Sequence, residues 1–429
     1  MIRIGRLQRI LRGDFVRHGL IVFASSSVVN LFNYVFHFFM SRRLGVVDYG
    51  ALASILAGLV IVSVPSAILT MVVVRYAAEF KAVGDNVRLR VLGDRVMVLT
   101  TAAGVVALVL CFLLRSAVAH YLNIDDARAI AAAGLVLAAS IVLPAIRGVV
   151  QGAQDFRQLA LSTALEAWGK VMFGIAFVVA GFGLTGAIVG FACGSLVSLA
   201  YTVRIVRRYA PTTAAHLRVD LRRLWVTTRG VALCTFALTS MSFADLLLVK
   251  HFFSPQVAGL YGAISLVGKV LLFVVGFVPT IVLPKATARA TNGEPALPIL
   301  LQAFAATFAI SGTGLAIIEL APQLVIRTMA GAAFIGAAPY VFPYAIAMTL
   351  LAALSLVTAY QIGLARFRFV PVLLATAVGE VVAIQFSHGS LADVIRILLI
   401  GHFIALAGCL VAVAWPVAVD RPVGVREVA

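Results

Sequence analysis

The stretch VMVLTTAAGVVALVLCFLLRSAV, residues 96–118, decides the fold class. It runs 23 residues with a single charge, Arg115, close to its end. A helix rises 1.5 Å per residue, so about 20 apolar residues cross the ~30 Å of hydrocarbon in a bilayer. An open strand is excluded at that depth, because lipid offers its backbone no hydrogen-bond partner. Barrel strands are about 10 residues long and alternate in polarity, which this run does not. Working outward, comparable runs cover 18–41, 51–74, 128–147, 159–180, 183–203, 229–251, 258–284, 298–319, 335–360, 369–388 and 394–416, giving twelve spans with the first. The whole chain is 62% hydrophobic and 12% charged. Soluble domains average about 45–50% and about 25%, and no single soluble core absorbs such an excess. The fold class expected is an all-α membrane protein of about twelve transmembrane helices.

The net charge of +17 does not indicate a nucleic-acid partner, because the basic residues lie between the apolar runs. Counted by side, the N-terminal tail, even-numbered loops and C-terminal tail hold 25 Lys and Arg, and the odd-numbered loops hold 7. That bias places both termini in the cytoplasm. Arg42 and Arg43 are a local exception on the outer side. The first apolar run lacks a small-residue cleavage site, so it reads as a retained helix. Cys111, Cys193, Cys234 and Cys409 all lie in apolar runs without CxxC spacing, which suggests neither zinc nor a disulfide framework. The Arg-rich, Ala-rich composition hints at a GC-rich bacterial genome.

The chain divides at its longest connection, giving a bundle over 1–203, a basic cytoplasmic linker over 204–228 and a second bundle over 229–429. From Arg204 to Arg229 this connection carries seven arginines against Asp220, as expected of an amphipathic segment on anionic headgroups. At a constant shift of 209 residues, Ser26, Asn30 and Asn33 fall on Thr235, Thr239 and Ser242, and Gly50 falls on Gly259. The i, i+4, i+7 spacing puts each triplet on one helical face. Two halves with even span counts share one orientation, so a pseudo-twofold axis along the membrane normal is expected. The plainer reading of the triplets is that small polar residues pack helices together.

Four stretches carry a family resemblance: LGVVDYGALASI (44–55), PSAILTMVVVRYAAEF (65–80), IRGVVQGAQDF (146–156) and ADLLLVKHFFSPQVAGLYGAISLVGKVLLF (244–273), followed by Pro284 and Lys285. The chain resembles the polysaccharide biosynthesis family of O-antigen-type flippases. They belong to a superfamily that also holds multidrug extruders and lipid II flippases. The resemblance runs over most of 14–290. It implies two six-helix bundles around a central cavity, and an undecaprenyl-pyrophosphate-linked oligosaccharide moved from the cytoplasmic to the periplasmic leaflet of the inner membrane. Membrane lipids and other polysaccharide assembly proteins are the partners it implies.

Charges inside spans are costly and normally face a cavity or a partner. Lys170 and Lys269 each lie about eleven residues into their spans, where a flexible point charge suits a pyrophosphate. Glu166 precedes Lys170 by four residues, so a structural pair is the competing reading; Lys269 has no acid at i±3 or i±4. Arg75, Arg147 and Lys285 end spans on the cytoplasmic side, either as a mouth for phosphates or as headgroup anchors. The family motif contexts favour Arg75 and Lys285. Asn33 and Ser242 are candidate cavity residues on the matched faces. Gln151 and Asp155 are candidates for sugar hydroxyls, and His37 shares the Asn30/Asn33 face. Asp245, Glu380 and Glu166 are candidate sites for a coupling ion, since a buried carboxylate binds a proton or Na⁺ reversibly. Pro65, Pro144, Pro279, Pro284 and Pro343 interrupt spans and can bend them.

No metal-ligand cluster, Gly-rich phosphate loop or nucleophile elbow occurs, so no cofactor and no catalytic residue is expected. A membrane polymerase or ligase would gather sugars on an extramembrane site, yet no loop exceeds about 26 residues. A multidrug extruder of the same fold remains the alternative, and would favour an acidic cavity for organic cations.

Overall fold

The computed structural model describes residues 14–209 and 221–414, with side chains from 27 to 209 and from 228 to 413. Described residues form helices and short connections, with no strand among them. Twelve helices follow one another. The first continuous run, Asp14–Val62, changes direction at Gly45 (φ 76°, ψ −179°), which separates α1 (14–44) from α2 (46–82). That backbone region is accessible essentially to glycine alone. A second break at Ser63, just before Pro65, divides α2. Then come α3 (Asn86–Tyr121), α4 (Ala127–Gly152), α5 (Phe156–Phe177), continued by a π-turn over Val178–Phe182, and α6 (Gly183–Arg207). The second series is α7 (Leu221–Phe252), α8 (Pro255–Val274, resuming at Phe277–Thr291), α9 (Leu297–Leu320), α10 (Ala338–Gly363), α11 (Val370–Phe386) and α12 (Leu391–Ala414). A short helix, Pro322–Met329, and a 3₁₀ turn, Ala332–Ala337, connect α9 to α10.

The helices start where the sequence offers caps. The carboxylates of Asp85, Asp126 and Asp155 accept backbone N–H groups at the starts of α3, α4 and α5, and Ser254 does so for α8. Several helices outrun the apolar stretches that announce them. α3 begins at Asn86, ten residues before its apolar run, and carries Arg88, Arg90 and Arg95 on that extension. Hydropathy marks the hydrocarbon slab, whereas a helix persists for as long as its own hydrogen bonds remain favourable.

Two compact units divide the chain, 1–226 and 227–429. In the first, α4 is the inner helix, packed against α2, α3 and α6. In the second, α10 holds that place among α8, α9 and α12, and is buried along most of its length. Each unit therefore has a broken second helix and an enclosed fourth helix. The internal shift of 209 residues also carries Gly45, at the α1–α2 bend, onto Ser254, at the α7–α8 connection. Large apolar side chains are turned outward, as on α3 at Val98, Leu99, Val106, Phe112 and Leu113, while charged groups are enclosed. This is the arrangement lipid requires of a multi-pass membrane protein. Residues 210–220 of the basic linker, including Asp220, and the two terminal tails lie outside the described residues.

Candidate functional site

In the first unit the polar interior is built on Arg147 of α4. Its guanidinium meets Glu166 Oε2 at 2.6 Å, donates to Ser162 Oγ at 2.8 Å and to the Ser162 carbonyl at 2.9 Å, and reaches Ser198 Oγ at 2.8 Å. Ser162 Oγ also lies 2.7 Å from Thr202 Oγ1, and Ser195 Oγ donates to Glu166 Oε1 at 3.1 Å. One cation thereby ties α4, α5 and α6 together, and both carboxylate oxygens of Glu166 are engaged. The i, i+4 spacing had offered Lys170 as the partner of Glu166; the guanidinium from the neighbouring helix takes that role instead. The planar fork of Arg satisfies several acceptors at once, which an ammonium cannot match.

Lys170 is buried one turn further along α5, with Nζ 4.8 Å from the centre of the Phe191 ring. No carboxylate lies within 4 Å of it among the described residues. The Phe36 ring stands edge-on to both Phe191 and His37, and His37 Nδ1 is 3.3 Å from the Tyr49 hydroxyl. The structure thus brings Lys170 and His37 into one aromatic-lined neighbourhood of α1, α2, α5 and α6.

The second unit holds a larger cluster. Asp245 of α7 is buried, and its Oδ2 accepts from Tyr261 of α8 and Tyr344 of α10, both at 2.8 Å. Lys269 Nζ stands 3.8 Å from Asp245 Oδ1 and 4.5 Å from the centre of the Phe243 ring. Lys269 therefore faces an acid from another helix, although none lies one turn away on its own. Glu380 of α11 and His402 of α12 are also buried, with Oε1 and Nε2 3.5 Å apart.

The other candidate residues are dispersed. Arg75 pairs with Glu79 at 3.2 Å with both side chains about half exposed. Lys285 is exposed, as is Gln151, and Asp155 caps α5. Asn33 is half-buried, and the Ser242 hydroxyl bonds back to the Leu238 carbonyl at 2.7 Å. The Ser26 side chain lies outside the described residues.

Sequence reasoning missed Tyr261, Tyr344 and His402. Nothing in their local spacing marks them, because they meet Asp245 and Glu380 only through the packing of α7, α8, α10, α11 and α12. It also missed a legible signal, Gly186, Gly190 and Gly194 at four-residue spacing on α6. These small residues let α5 and α6 touch: a Cβ on Gly190 would overlap the Gly174 backbone, and one on Gly194 the Lys170 backbone.

No family model matches the chain, and no curated protein matches it in sequence. Solved structures do match, over nearly its whole length. An inward-facing multidrug resistance MATE family transporter of the MOP superfamily aligns at a TM-score of 0.72 and 15% identity, covering 90% of this chain and 93% of that one. The lipid II flippase MurJ in an inward closed conformation aligns at 0.67 and 12%, covering 93% and 88%. A MATE structure in complex with MaD3S aligns at 0.64 and 17%, covering 95% and 97%. At such low identities the likeness concerns architecture, and the chain has the fold of the MOP-superfamily transporters.

Proposed function

We propose that this protein moves an undecaprenyl-pyrophosphate-linked oligosaccharide from the cytoplasmic to the periplasmic leaflet of a bacterial inner membrane, as a step in making a surface polysaccharide such as O-antigen, capsule or exopolysaccharide. On this reading it is a transporter and not an enzyme. The sequence stretches that resemble the O-antigen-type flippases support it, as does a fold shared with a lipid II flippase.

The observation that carries it is Lys170. Burying an unpaired charge costs several kcal/mol, and the oxygens of its nearest acid are held by Arg147 and Ser195. A pyrophosphate passing this point supplies the missing counter-charge. Arg75 and Lys285, exposed within the last two turns of α2 and α8, serve in this proposal as the first contacts for phosphate. Arg147, Asn33 and Ser242 serve in this proposal as weaker cargo contacts, each within its own unit, Arg147 because Glu166 already holds it. Transport is powered by an ion gradient acting through Asp245 or Glu380, whereas Glu166 is committed to Arg147.

The test is restoration of surface polysaccharide in a strain lacking its own flippase. Lys170→Gln should cut restoration at least tenfold at normal protein levels, and Lys170→Arg should retain part of it. Glu166 keeps Arg147 as its partner in both variants, so neither leaves an unpaired acid, and the comparison at equal protein level excludes misfolding. Full restoration by Lys170→Gln overturns the anionic cargo. The multidrug extruder then becomes the better reading. It is favoured by the buried carboxylates Asp245 and Glu380 and by likeness to multidrug transporters, and efflux of cationic drugs would reveal it.

A further inference from the structure

We propose that the driving ion is a proton seated between Glu380 and His402, and that Asp245 and Lys269 are a fixed, mutually neutralising pair beside it. This rests on the transport reading above and deepens it by naming the ion and its seat.

His402 Nδ1 lies 2.8 Å from the Ala347 carbonyl on α10. A carbonyl only accepts, so Nδ1 carries the hydrogen. In the neutral ring Nε2 then holds a lone pair, and that lone pair faces Glu380 Oε1 across 3.5 Å. Neither atom makes a hydrogen bond of good geometry among the described residues, and the Met241 backbone stands beside the ring. An ionised carboxylate opposite a neutral imidazole would set acceptor against acceptor in a buried site. One proton removes the conflict from either side: a carboxylic acid donates to Nε2, or an imidazolium donates to the carboxylate. Losing it restores the conflict, which is relieved only if α11 and α12 rearrange. Occupancy is thereby coupled to conformation, as a driven carrier requires.

The surroundings disfavour Na⁺. Hard cations take several oxygen ligands, and here a cation is already present: the Lys269 ammonium stands 3.8 Å from Asp245 Oδ1, although neither of those atoms nor Glu380 Oε1 makes a hydrogen bond among the described residues. Asp245 Oδ2 is held by Tyr261 and Tyr344, while Oδ1 faces the Lys269 ammonium. That ammonium stands where a metal ion's charge would be needed. The groups facing the pair are Asp245 and the Met241 backbone from α7, Tyr261 with Lys269 behind Asp245 from α8, and Tyr344 with the Ala347 carbonyl from α10. Asp245 and Lys269 offset one another, so no net charge opposes the proton. Gly401, next to His402, completes the seat: a Cβ there would overlap Glu380 Oε1.

The test needs no cargo. A pH-indicator dye counts the protons taken up by the purified, reconstituted chain after an acid jump. Glu380→Gln should take up one proton fewer than the parent protein. His402→Asn keeps a donor for the Ala347 carbonyl but removes the proton's second place, and should lower the uptake midpoint by about one pH unit or more. Gly401→Ala displaces the carboxyl and should shift the midpoint in the same direction. Replacing Na⁺ with choline should change nothing. Equal uptake in Glu380→Gln, an unmoved midpoint in both His402→Asn and Gly401→Ala, or proton release on adding Na⁺ would overturn the proposal. Proton uptake as described, together with full polysaccharide restoration by Lys170→Gln, would reject the cargo and keep the ion.

Discussion

Arg147 and Arg75 carry the same charge in different surroundings, so their removal should cost different amounts. The Arg147 side chain is 13% exposed and satisfies acceptors on two other helices. Arg147→Ala leaves the part-buried Glu166 with the Ser195 hydroxyl but no counter-charge, and should destabilise the protein by about 3 kcal/mol. The double variant Arg147→Met/Glu166→Gln should recover much of that, because both charges go together. Arg75→Gln breaks a half-exposed pair and should cost less than about 1 kcal/mol. Thermal unfolding in one detergent compares all three. Around Asp245, Tyr344→Phe removes one of two hydroxyl donors to a buried carboxylate and should cost about 1.5–3 kcal/mol. Which residues were worth naming could be read from the sequence, since Arg147, Glu166, Lys170, Asp245, Lys269 and Glu380 all stand out as charges in or beside apolar runs. Their pairings could not, because an ion pair between helices depends on how each helix is rotated about its axis. Glu166 shows this: Lys170 is four residues away and Arg147 nineteen, and Arg147 is the partner.

Between helices the decisive contacts are made by the smallest residues. Gly190 meets the backbone of Gly174, and a backbone cannot swing aside as a side chain can. Gly190→Ala must push α6 away from α5 and should cost about 1–3 kcal/mol. Gly312 on α9 has open space where its Cβ would go, so Gly312→Ala should be neutral or gain up to about 1 kcal/mol through helix propensity. An unfolding midpoint lowered by both substitutions alike would show that the α5–α6 approach is not tight. The existence of these helices was legible because each needs an apolar run to cross hydrocarbon. Their ends were less so, as with the ten-residue extension of α3. The bend at Gly45 was not foreseen, since its glycine is one of 35 and nothing but the backbone angle distinguishes it.

For the whole molecule the open quantity is which way it faces, and the sequence bears on this more directly than the fold. A helix has the same hydrogen bonds whether its N-terminus lies inside or outside, so architecture alone leaves two orientations. Lys and Arg in short loops break the tie, because they resist translocation. The bias of 25 to 7 predicts that α1 starts in the cytoplasm and that every later helix alternates. The fold keeps that alternation only if α5 and α6, joined through the π-turn at Val178–Phe182, are two crossings and not one long helix. Gly181 (φ 92°) and Gly183 (φ 51°) reverse the chain there, as two crossings need. Reporter fusions at Asn86, at Ala215 and at the C-terminus should therefore read cytoplasmic, and fusions after Asp125 and Ser254 periplasmic. The reading at Ala215 is the most telling. It lies beyond α6, so one missed crossing in the first unit would invert it while leaving Asn86 unchanged. A periplasmic signal at Ala215 would break the even count and put the basic linker on the wrong side for anionic headgroups.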